Sequence, residues 1–137
     1  MSKIELLNTL NSKKSQSAAT QAKMSELNEK IEKAKKIKKK LEKLKDDVKE
    51  HKKSSHNIFK EYDYWIGDNN KKWEEKSEED LINGSLQDTV DKIDENIDKL
   101  IDKIAEMENE VSSLGGVLVG LENAINSISS SIEKMLN

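Results

Sequence analysis

The chain has no cysteine, no proline, only five glycines in 137 residues, and 4% aromatics. Without cysteine there is no disulfide and no thiolate metal site. That absence suits the cytosol and export equally. Without proline, nothing in the sequence forces a helix to stop. No apolar run comes near the roughly 18 residues of a membrane helix. The opening residues, Met1 to Leu7, hold no signal-peptide core, so export would need a route that reads no cleaved leader.

Charge fills part of what is missing. Charged residues make up 37% of the chain and hydrophobic ones 34%. Such a chain is too polar for a thick globular core. It suits long amphipathic helices if the apolar residues are periodic, and disorder if they are not.

They are periodic. Ser2 with Glu5 forms a capping-box pattern that starts a helix. Leu6, Leu7 and Leu10 open an apolar stripe, which thins between Asn11 and Lys23 to serine, alanine and threonine. From Met24 the seam runs Leu27, Ile31, Ala34, Ile37, Leu41, Leu44, Val48, His51, Ser55, Ile58, Tyr62, Trp65. One extra step of three, Ala34 to Ile37, makes a local stammer. A helix of about 60 residues spans about 90 Å. Beyond residue 85 the steps alternate between four and three without a slip: Leu86, Val90, Ile93, Ile97, Leu100, Ile104, Met107, Val111, Leu114, Leu118, Leu121, Ile125, Ile128, Ile132, Met135. A disordered segment would not hold that phase.

Between the two periodic stretches lies the main aromatic cluster, Tyr62, Tyr64, Trp65 and Trp73, with Gly67 and the turn formers Asp68, Asn69 and Asn70. Gly67 takes a positive φ without steric cost, and the Asp/Asn residues bond their own backbone or cap a new helix. The pattern predicts an all-α, elongated antiparallel helical hairpin, coiled-coil-like, as one domain over 1–137. The first helix covers about 3–64, the turn about 65–69, and the second helix about 70–136. Ser77 with Asp80 offers a second capping box, and a break is expected at 83–85, where Asn83-Gly84-Ser85 interrupts the pattern. Gly115 and Gly116 weaken the second helix without ending it.

Charge is split along the chain. Residues 1–60 hold 17 lysines and 8 acids; residues 61–137 hold 7 lysines and 19 acids. Folding the chain about Trp65 and Gly67 makes facing residue numbers add to roughly 133. The lysines from Lys33 to Lys45 then meet Asp88, Asp91, Asp94, Glu95 and Asp98. The basic run therefore has an internal partner, and a nucleic-acid stripe is not expected.

Site chemistry is scarce. His51 and His56 are five apart and share no helix face suited to a metal. No carboxylate pair stands out from a solvated helix face, and the glycines are too scattered to cradle phosphate. No catalytic, cofactor or metal residue is assigned, and an enzyme is not expected.

Trp65-Ile66-Gly67 between two amphipathic helices resembles the Trp-x-Gly turn of the WXG family of type VII secretion substrates. Trp73, eight residues on, resembles the second aromatic of a longer, YwqH-like subgroup of Gram-positive bacteria associated with LXG-domain toxins. The lysine-rich first helix and the ending Asn126 to Lys134 are also similar. The resemblance implies a small helical partner that binds the helical N-terminal domain of an LXG toxin. It would be made in the cytoplasm and either stay there or leave by the type VII pathway. It also implies an export signal of the form aromatic-x-x-x-acid near a C-terminus. The last ten residues lack an aromatic. Phe59 and Asp63 fit the spacing, but they precede the turn. The competing reading is a cytoplasmic structural coiled coil or prefoldin-like holdase.

The expected partner surface is the stripe Leu114, Val117, Leu118, Val119, Leu121, Ala124 and Ile125. Under the same fold-back, Gly115 and Gly116 face Ala18 and Ser17. The segment Asn11 to Lys23 is too small and polar to cover the stripe. The occupant would be the toxin's helical domain, a second small helical protein, or a second copy of this chain.

Overall fold

The computed structural model describes residues 2–66 and 84–136, without the side chains of 55–66. It is an all-α helical hairpin of two long helices, with no strand among the described residues. The first helix, α1, spans Lys3–Ile66, and the second, α2, spans Gln87–Leu136. Gly84 to Leu86 form a π-helical turn leading into α2, where the sequence predicts a break; Asn83 lies outside the described residues. The second capping box, Ser77 with Asp80, lies outside them too. α1 begins as its first residues dictate. Glu5 N–H donates to Ser2 Oγ at 3.2 Å, and Ser2 N–H donates to Glu5 Oε2 at 3.4 Å. This reciprocal cap satisfies backbone donors that a bare helix start leaves open.

The residues pack as two compact units, Met1–Lys33 with Lys103–Asn137, and Ala34–Asp102. In each unit a segment of α1 pairs antiparallel with a segment of α2. In the Ala34–Asp102 unit the core residues of α2 are Val90, Ile93 and Ile97, all buried. Opposite them, α1 presents Ala34, Lys38, Leu41, Lys45, Val48 and Lys52, all buried or half-buried. Ile37, Leu44 and His51 are exposed. The expected stammer is therefore absent. α1 keeps strict steps of four and three, and the seam passes through three lysines instead of two large aliphatics and a histidine. The physical reason is phase. α2 repeats in heptads without a slip, and overwinding α1 for one stammer would break the match. A lysine tolerates the seam because its four-carbon stem lies along apolar surface while its ammonium reaches outward. Lys45 ends in an ion pair with Asp94, and Lys52 Nζ donates to Gln87 Oε1 at 2.9 Å.

These contacts also correct the register. The residue numbers add to 139 at Lys45–Asp94 and at Lys52–Gln87, not to 133. In the other unit they add to 139 for Met24 and Gly115, where a Cβ on the glycine would stand 3.9 Å from Met24 Cε. Gly115 therefore faces Met24, and not Ala18 as expected. The cause is that α1 continues through Trp65 and Ile66, so the chain does not reverse at Trp65. The shift of six is close to one heptad, so apolar positions still meet apolar positions.

The unit formed by Met1–Lys33 and Lys103–Asn137 has two apolar zones. Leu6, Leu10 and Ile132 form a buried cluster, with Ile125 and Ile128 packed against it. Leu27, Ile31, Ile104 and Met107 are buried further along.

The Lys45–Asp94 pair gives two expectations. Asp94 holds the Lys45 ammonium above its ordinary pKa, chiefly by the side-chain hydrogen bond. A raised folded pKa stabilises the fold below the unfolded value and loses that effect only as pH rises through the folded one. Lys45 is a quarter exposed and Asp94 nearly half, so the pair is screened. Added salt will lower thermal stability only slightly, because the pair is exposed to solvent and screened. Lys45→Met will be neutral or slightly stabilising, because it completes the apolar seam and leaves Asp94 in water. Thermal melts of both proteins at low and high salt check this. A large loss in Lys45→Met would show that the ion pair, not the lysine stem, holds the seam there.

Candidate partner-binding surface

The predicted stripe divides on α2. Leu114, Leu118, Ala124 and Ile125 are half-buried and Leu121 is buried, all in the unit with the N-terminal part of α1. Val117 and Val119 point outward, 52% and 56% exposed. Two residues apart on a helix is about 200° of rotation, so the valines stand on different sides. The seam residues between them explain the half-burial. Opposite this stretch α1 offers Lys13, Ser17 and Thr20 at seam positions. Thr20 Oγ1 donates to its own helix, to the carbonyl of Gln16 at 2.8 Å. Ser17 is buried. In the 139 register Thr20 lies opposite Leu118, which stays half-buried, whereas Leu121 opposite Ser17 is buried and Leu27 and Ile31 are buried further along.

The turn residues divide differently. Trp65 lies in the last turn of α1, and Gly67 and Trp73 lie outside the described residues. Phe59 and Asp63 are on α1, with side chains outside the description. Of the 114–125 stripe, the seam residues lie toward the first helix and Val117 and Val119 do not.

Sequence reading missed two exposed aliphatics, Ile37 and Leu44, 50% and 47% exposed on α1. A signal was available. Met24, Leu27, Ile31 and Ala34 alternate three and four, and the next step of four lands on Lys38, not Ile37. Continuing the phase across an unfavourable residue would have found them.

The electrostatics are those of solvated helices. Glu26 is held below the usual carboxylate range, first by its hydrogen bond to Lys30, which stands 3.1 Å away one turn on. Lys38 with Glu42 and Lys99 with Glu95 are further pairs one turn apart. Among the described residues no group of three or more His, Asp or Glu could hold a metal ion. No described helix is long and apolar enough to cross a membrane. No family model matches the chain, and no curated protein or solved structure matches it.

Proposed function

We propose that this chain is a WXG-like partner protein that binds the helical N-terminal domain of an LXG toxin for type VII secretion. The observation that carries the binding part is the incompletely covered seam. Leu118 stays half-buried opposite Thr20 and Ile125 half-buried opposite Lys13, with Val117 exposed beside the seam. Apolar side chains left in water forgo roughly 1.5–3 kcal/mol each, and a further helix packed there would recover it. The resemblance at Trp65, Gly67 and Trp73 supplies the class of partner. In this reading the protein works by packing and performs no covalent chemistry.

The test is co-expression with an LXG-domain toxin encoded beside it, followed by size-exclusion chromatography. A stable joint peak is expected. Trp65→Ala should leave far-UV helicity largely intact and weaken that complex. Unchanged affinity with a lowered melting temperature would make Trp65 a turn residue only. Failure to form any complex, with capture of unrelated unfolded clients, would favour a holdase.

A further inference from the structure

We propose that one broad face of the Ala34–Asp102 unit docks an acidic amphipathic helix of the partner protein. The inference rests on the reading above, that the chain binds a helical protein, and adds where and by what chemistry.

Lys45–Asp94 and Lys52–Gln87 reach across the seam on one side. At heptad spacing, Ile37 and Leu44 flank the seam on the other side, and both are half exposed. They are one heptad apart, roughly 10 Å along the helix. Lys40 stands one turn from each on the outer edge of α1 and is exposed. The outer edge of α2 on this face carries Lys92 and Lys99, also exposed. Between Gln87 and Asp102, α2 has six acids and only these two lysines. Both fall on this face, so the acidic helix turns a basic edge to the same groove as the basic helix. Asp47 is the acid beside Leu44. Lys99 stands 3.2 Å from Glu95, but both are largely exposed, so the pair is weak and a partner carboxylate can share it.

Two aliphatics at a seven-residue spacing, bordered by lysines on both edges, match a helix with a narrow apolar stripe and acidic flanks. One apolar residue per heptad is too narrow for the wide face that a membrane-surface helix buries. Nucleic acid would use the lysines and leave the aliphatics in water. Charge complementarity therefore selects the acidic helix.

The probes are two fluorescent synthetic helices with one leucine heptad pattern, flanked by glutamate in one and by lysine in the other. Anisotropy with the full chain should show the glutamate peptide binding about tenfold or more tighter, and weakening with salt. Ile37→Glu with Leu44→Glu should abolish binding. Lys40→Glu with Lys92→Glu and Lys99→Glu should reverse the preference toward the lysine peptide. All five positions are exposed, and circular dichroism checks helicity; should the first variant misfold, the charge variant decides. Equal binding of both peptides, or unchanged binding by the charge variant, overturns the proposal. So does binding of phosphatidylserine vesicles or a DNA duplex as tightly as the glutamate peptide, with the same loss in the variants. A toxin complex that survives Ile37→Glu with Leu44→Glu overturns this face and leaves the proposed function standing. Peptide binding without any toxin complex does the reverse.

Discussion

Ile31→Ala will lower the unfolding free energy by about 2–5 kcal/mol, while Ile37→Ala will change it by less than about 0.5 kcal/mol. The two residues have the same side chain, lie on the same helix and are six positions apart. Ile31 is 5% exposed within the core of its unit, and Ile37 stands half in water. Truncating Ile31 removes buried methyl and methylene groups and leaves a cavity that stiff neighbours fill only in part. Truncating Ile37 removes surface already hydrated, and alanine's better helix propensity offsets part of any loss. Urea titrations followed by circular dichroism measure both. The stammered seam makes the opposite forecast, in which both substitutions cost alike. Equal losses would restore Ile37 to the seam and undo the register described above.

That contrast also shows what the sequence could and could not disclose. The helical class was legible because α2 repeats its apolar residues without a competing phase from Val90 to Ile132. The cap at Ser2 and Glu5 was legible because it is local. The register of α1 was not. A reader of apolar pattern prefers Ile37 and Leu44 to Lys38 and Lys45. The fold prefers unbroken phase, since lysine stems fill seam positions while their ammonium groups escape. Nor was the pairing constant legible, because a shift of about one heptad returns apolar rows to apolar rows. Only contacts between particular residues, such as Lys45 with Asp94, separate the two registers. The candidate surface was legible in part. Leu118, Leu121 and Ile125 follow from the repeat of α2, but the exposed face at Ile37 and Leu44 required the correct phase of α1.

Val117→Lys combined with Val119→Lys will abolish the proposed complex with a helical toxin domain and leave the isolated chain helical. The fold should tolerate both changes, because each valine is more than half exposed and sits outside the alternating seam. Lysine is also a good helix former, and valine is a poorer one. A partner helix covering the thin seam must bury one or both of these side chains. Each buried valine contributes roughly 1.5–3 kcal/mol, and a lysine in its place adds the cost of desolvating an unpaired charge. Together the losses exceed about 3 kcal/mol, which is more than a hundredfold in affinity. Because the valines project about 200° apart, the single substitutions locate the partner. A strong effect of Val117→Lys alone places it on that side of the seam; equal effects mean that it wraps α2. Size-exclusion chromatography of co-expressed proteins, with circular dichroism of each variant alone, reads the outcome. Unimpaired binding by the double variant would sink this surface as the interface. The half-buried Leu118 would then reflect only close packing of α2 over Thr20.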